Sequence, residues 1–539
     1  MMTMKPAMLF LTAAFVIACA PGAFAQHEDH AMPPDAIGSA SVKFQTSCST
    51  AVKDDFNKGV ALLHSFWFPE AIKTFDGIVA RDPNCAMAHW GIALSNWGNP
   101  FAGLKPGPTI ELTKASIDKA LATGSPTPRE RGYMQAVAQL VSASDPGSHA
   151  ARIGAYETAM EQVSRNNPED TEARIFYALA VAQTASPSDK TYAKNLKAAG
   201  ILEPLFEKMP THPGLAHYII HAYDAPPLAD KALVAARKYA SLAPAIPHAL
   251  HMPSHTFTRV GSWKESIDTN KRSAEAARKS TGGAGEELHA LDYQTYAYLQ
   301  TAQDKTAKTV VDQAIAVVGG AAGAAAGAGA FAVAAIPARY ALERGAWAEA
   351  AALPARPANT PFTEAITHFA RAIGAARSGN PTAVTADIER LEALRDKLRD
   401  AKDAYWTEQV DIQRRVALAW QAFAQGRKDE AIAQLGAAAD AEDATDKSAI
   451  SPGPLAPARE LFGYMLLEAG KPTEALVAFE ATMQKEPNRF RGLYGGASAA
   501  AAAGDRAKAA AYYTTLLDVA KESDTERPEL EQAHKFLGR

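Results

Sequence analysis

Histidine is the residue type whose number and spacing most suggest chemistry. Fourteen are present, and seven of them fall between His212 and His289. His217 and His221 are four residues apart, as are His251 and His255. Each member of the first pair lies 34 residues before its counterpart in the second, and His289 lies another 34 beyond His255. Residues four apart share one face of an α-helix, one turn above the other. A His pair at that spacing aims both imidazoles the same way, which is a recurrent metal-binding device. Imidazole suits zinc, copper, nickel and iron, so the pattern points to a transition metal, with copper and zinc the expected ions. His217, His221, His251 and His255 are predicted to converge on one ion, with His248 and His289 at the margin. Four imidazoles would close the coordination shell, whereas three would leave a position for water and an activated ligand. The sequence does not choose between these, so it assigns no reaction. Two competing readings use the same residues: a groove binding a peptide or an anion, and a buried hydrogen-bond network.

The elements that must carry these rings show up as a repeat. Gly463, Gly470, Ala475, Phe479 and Pro487 fall at offsets 0, 7, 12, 16 and 24, and Ala497, Gly504, Ala509 and Tyr513 repeat the pattern 34 residues later. Gly59, Ala71, Phe75 and Pro83 follow the same frame. Small residues at fixed offsets allow two helices to approach closely, an aromatic fills the gap to the next unit, and the late proline ends the second helix. One such unit cannot bury its apolar face alone, so units stack.

This small–small–aromatic–Pro pattern, with its period of 34, resembles the tetratricopeptide repeat (TPR) family. The resemblance implies an all-α solenoid of antiparallel helix pairs with a concave groove. Frames are expected at 52–85, 213–246, 247–280, 456–489 and 490–523, with weaker ones starting near 86, 281, 331 and 412. The family rule for groove-facing positions places all six histidines in the groove, together with Asp224 and Asp292 at one helix position and Arg259 and Tyr293 at the next. These four are candidate orienters of the imidazole rings or groove contacts. The resemblance also implies the alternative function, a scaffold that binds a peptide or partner protein without metal. Pro253, between His251 and His255, is expected to kink the helix or mark its start, which would disturb the pair.

The remainder bounds the setting. Lys5, an apolar run over 7–18 and Ala23-Phe24-Ala25 read as a signal peptide spanning 1–25, with Gln26 as the mature start and a periplasmic or secreted destination. A weak lipobox ending at Cys19 is the rival reading. His27 and His30 then form a short His-containing tail. An N-terminal segment follows over 26–51, a first repeat array over 52–318, an Ala/Gly-rich connector over 319–330 and a second array over 331–539. The uncharged stretch between Asp312 and Arg339 is too rich in Ala and Gly for a membrane span, so none is expected in the mature chain. A net charge of −4 leaves no basic footprint for nucleic acid. Export removes Cys19 and leaves Cys48 and Cys85, which are expected to form a disulfide because the antiparallel hairpin between them brings their ends together. His64 falls at a groove position but stands alone. No P-loop, dinucleotide fingerprint, nucleophile elbow or H-E-x-x-H motif is present.

Overall fold

The computed structural model describes residues 37, 41–124, 126–320, 327–358 and 360–538. The expected signal peptide, with Cys19, Gln26, His27 and His30, lies outside the described residues. Among the described residues there is no strand, and the chain is a succession of helices, each packed mainly against the next in sequence. This is the TPR-like solenoid of helix pairs. All five strong frames contain such a pair: Lys53–His64 with Phe68–Arg81, Pro213–Ala222 with Leu233–Leu242, Pro247–His251 and Pro253–Arg259 with Trp263–Arg278, Ala458–Glu468 with Pro472–Lys485, and Phe490–Ala502 with Arg506–Val519. No described helix is long and apolar enough to cross a membrane.

The packing follows from the residues of the repeat. Phe75 is fully buried between two glycines, and a Cβ on Gly59 or Gly91 would sit 2.8 or 2.5 Å from its ring. Phe479 stands in the same relation to Gly463 and Gly495, at 2.8 and 2.2 Å. The small residues thus set the helix spacing and the aromatic fills it. Prolines occupy the first turn of Pro213–Ala222, Pro247–His251 and Pro253–Arg259, where their missing N–H is not needed.

The apolar core runs as consecutive clusters, the first from Val42 to Phe257 and the next from Trp263 to Ile336. The Ala/Gly stretch is mostly helical where it is described. Asp304–Gly320 and Gly327–Glu343 flank it, 321–326 lie outside the described residues, and apolar packing continues past it from Ala314 to Ala332. Alanine's high helix propensity accounts for the helix on either side of 321–326.

Residues 445–457 join two helices and turn back against the middle of the solenoid. Tyr293 Oη donates to Ser451 O (3.2 Å), Lys447 Nζ reaches Asp224 Oδ2 (3.4 Å), and Arg339 donates to Ser451 Oγ, Gly453 O and Pro454 O. Ser451, Pro452 and Gly453 are buried. The Ser-Pro-Gly-Pro run is therefore a packed crossing rather than an exposed breaker.

Cys48 and Cys85 lie within disulfide distance, their Cα atoms 4.7 Å apart. They tie the segment before Lys53–His64 to the start of Ala86–Trp97. Closing this 37-residue loop is worth roughly 3–4 kcal/mol by chain entropy. Reduction, or Cys85→Ala, is expected to lower the thermal midpoint by several degrees, as read by circular dichroism. An unchanged midpoint would contradict the bridge.

Candidate metal centre

The histidine-bearing helices are placed by small local features. Gly214 lets the start of Pro213–Ala222 approach His64, since a Cβ there would fall 2.6 Å from the His64 Nδ1. Pro253 does restart the helix, yet Met252 keeps right-handed helical torsions (φ −51°, ψ −37°). The turn therefore carries through, and His251 and His255 stay on one face with ring centroids 5.0 Å apart.

The six rings assort into two trios. His217, His221 and His248 form one, and His251, His255 and His289 the other. In each, one nitrogen per ring lies within 4.8 Å of the other two. Each trio is an i, i+4 pair plus one ring from the first helix of the following repeat. The pairs His217 and His221, and His251 and His255, expected to share one ion, thus fall in separate trios. Rings one turn apart on a helix meet at about 5 Å, whereas backbones of packed helices are about 8–10 Å apart. The third ligand atom therefore comes from whichever ring leans across. His248 and His289, expected at the margin, complete the trios. The rings are also buried rather than lining an open groove, none being more than 9% exposed.

Hydrogen bonds decide which nitrogens are free. Asp224 accepts from His255 Nδ1 (2.9 Å) and from Arg259 Nε (2.9 Å). Burial opposes ionisation of Asp224, but Lys447 and Arg259 hold its carboxyl well below the usual range. Being an acceptor only, it fixes the proton of His255 on Nδ1. His251 Nδ1 faces Asn270 Oδ1 at 2.7 Å, and Asn270 Nδ2 donates to Ser266 O at 2.7 Å. That second bond fixes the amide orientation, so His251 also carries its proton on Nδ1. The two Nε2 atoms nevertheless stand 3.1 Å apart. Burial pushes the pKa of His251 well below its ordinary value and lowers that of His255 against the pull of Asp224. Neutral rings with this tautomer present two lone pairs to each other.

In the other trio His217 Nδ1 donates to the backbone carbonyl of His64 (2.6 Å), which again leaves Nε2 free, 3.2 Å from His248 Nε2. His221 Nε2 and His289 Nδ1 are buried without a partner. An orphaned buried polar atom costs about 1–3 kcal/mol.

A third cluster behaves differently. Glu172 accepts from His64 Nε2 and His212 Nε2, both at 2.9 Å, and His64 Nδ1 meets Tyr218 Oη at 2.8 Å. Donors face acceptors at Glu172 and Tyr218, and no two unprotonated nitrogens are forced together here, although His212 Nδ1 is buried without a partner and the three ligand atoms also lie within 4.8 Å of one another. His64 is not solitary: its side chain belongs to this cluster and its carbonyl orients His217.

The four expected orienters divide. Asp224 acts directly on His255 and Arg259 acts through Asp224. Tyr293 packs edge-on against His251, its Oη 3.5 Å from His255 Nε2. Asp292 does not serve the site, because its carboxylate is engaged by Arg339 Nε at 2.8 Å. Asn270, Lys447 and the His64 carbonyl were not anticipated. None follows the 34-residue recurrence, and an asparagine or a backbone carbonyl gives no sequence signal.

The fold and site together define a TPR-like helical array enclosing a buried polyhistidine centre. No family model matches the chain, and no curated protein matches it. Among solved structures the chain is similar to the TPR domain of P58(IPK), at 14% identity over 68% of this chain and 98% of that one, with a TM-score of 0.22. It is also similar to the APC/C hetero-tetramer Cut9-Hcn1, at 11% identity over 90% of each chain, with a TM-score of 0.29. Superpositions this loose carry no argument, so the class rests on the helix pairs themselves.

Burial lowers the pKa of His217, His221 and His251 well below, and that of His289 to about 3. These rings stay neutral in the folded chain while unfolded histidine protonates near pH 6.5. Between those values the unfolded state binds more protons, so stability falls as pH drops. In metal-chelating buffer the thermal midpoint is expected to fall continuously from pH 7 to pH 5, reflecting a loss of unfolding free energy of up to about 2 kcal/mol per buried ring. A midpoint flat over that interval would contradict the burial of neutral imidazoles.

Proposed function

We propose that this chain is an exported TPR-like protein whose buried histidines bind a transition metal, copper or zinc. One observation carries the reading: His251 and His255 turn unprotonated Nε2 atoms toward each other at 3.1 Å while both Nδ1 protons are committed to Asn270 and Asp224. Two facing lone pairs on buried rings repel unless a cation lies between them. Two imidazole nitrogens bound to one ion at about 2.0–2.1 Å would stand roughly 2.9–3.4 Å apart for bond angles between 90° and tetrahedral. His289 supplies a third nitrogen, and a neutral nitrogen donor set suits copper and zinc better than magnesium or calcium. The hydrogen bonds at Nδ1 are the outer contacts that fix tautomer and ring direction at metal sites.

A peptide-binding groove needs reachable side chains. The burial of the six rings and the crossing of residues 445–457 over Asp224 and Tyr293 favour the metal reading over that alternative. Export is supported by the pairing of Cys48 with Cys85, which an oxidising compartment would preserve. An intact mass beginning at Gln26 is its expected signature, and an uncleaved or lipidated chain would refute it.

Untagged protein equilibrated with copper or zinc and then dialysed is expected to retain metal by elemental analysis. Asn270→Ala, which frees the His251 ring, should weaken affinity by about 10–100-fold while preserving helicity. Wild-type protein that retains neither metal would overturn the reading.

A further inference from the structure

The two trios are built alike and lie side by side. Each has one close nitrogen pair, His217 with His248 at 3.2 Å and His251 with His255 at 3.1 Å. Each also has one buried nitrogen that finds no hydrogen-bond partner, on His221 and on His289. Each completes its i, i+4 pair with a ring borrowed from the first helix of the next repeat. Across the boundary, the His221 and His255 ring centroids are 6.0 Å apart and those of His248 and His251 are 6.3 Å apart. Adjoining trios with three donors apiece provide for two ions, and a shell of three leaves each ion with an open position.

Charge then restricts what can occupy those positions. Neither trio contains a carboxylate. The carboxylate nearest the second trio, Asp224, is shared with Arg259 and Lys447, and Glu286 Oε2 stands 3.9 Å from His248 Nδ1 on the first. Two dications held by neutral ligands a few ångströms apart repel strongly in a low-dielectric interior. A small anion lying between them, bonded to both, offsets that repulsion.

We propose that the centre is dinuclear: His217, His221 and His248 hold one transition-metal ion, His251, His255 and His289 hold a second, and a hydroxide-class oxygen ligand bridges them. This rests on the metal reading above and extends it from one ion to a coupled pair. Paired ions of this kind can hold one bridging ligand between two Lewis acids, an arrangement that no single trio provides.

The test loads full-length protein with Cu(II), removes loose metal by dialysis, and counts copper per chain. It then compares that count with the spins seen by electron paramagnetic resonance. Two coppers per chain are expected, with a spin count well below the copper count because the bridge couples the ions. His221→Ala and His289→Ala should each retain one copper and regain a full spin, and circular dichroism would verify that each remains folded. If either variant unfolds, the wild-type copper and spin counts decide the question on their own. One copper per wild-type chain would overturn the dinuclear proposal and leave the metal reading standing. Two coppers with two full spins would overturn the bridge. No retained copper, with none retained from a parallel Zn(II) loading, would overturn the metal reading itself.

Discussion

Asp224 and Asn270 impose the constraint on which the site depends. Both present acceptors to the Nδ1 side of a histidine, and both are held in place from behind. Arg259 and Lys447 keep Asp224 ionised, and the Ser266 carbonyl prevents Asn270 from turning its amide over. With both protons committed on that side, His255 and His251 have only lone pairs left to direct inward. The interior around them is closed, so no water-rich surface relieves the conflict. A cation turns that conflict into an attraction. The His64 carbonyl likewise holds the His217 proton on Nδ1, whereas no acceptor within hydrogen-bonding distance fixes the proton of His248, whose Nδ1 is 3.9 Å from Glu286.

The solenoid supplies what this constraint needs. A stack of helix pairs presents equivalent positions at regular intervals, and the i, i+4 spacing on each helix supplies a ready pair of rings. Gly214 permits the close approach that brings His217 to the His64 carbonyl. Residues 445–457 then cross over the ring-bearing helices, delivering Lys447 to Asp224 and the Ser451 carbonyl to Tyr293. A further buried ion group, Arg489 with Glu343 and Glu460, also bonds to Tyr296 and fastens the C-terminal repeats to the helix that bears His289. Distant parts of the chain therefore contribute to the rigidity of a site whose ligands lie within 75 residues of one another.

Much of this was legible in the sequence because it is local. Gly59, Phe75 and Gly91 announce their packing through spacing alone, and the histidine pairs announce their shared face in the same way. The sorting of rings into trios was not legible. Offsets along the chain report which residues occupy equivalent helix positions, but not which rings lean across an interhelical gap. His248 and His289 thus looked marginal and Asp292 looked adjacent. Asn270 and Lys447 were invisible for a different reason: their roles depend on long-range contacts of residue types that carry no periodic signature. The burial of Ser451 has no sequence signature either, since Ser-Pro-Gly-Pro is a turn signal whether the turn is packed or exposed.

The most direct test of the central claim is anomalous diffraction from crystals grown with copper or zinc, recorded at the absorption edge of the metal. A peak between the Nε2 atoms of His251 and His255, about 2.0–2.1 Å from each, with His289 completing the shell, is the result the account predicts. A metal peak only elsewhere on the chain, or none, with one ring re-protonated on Nε2 and donating to the other, would contradict it.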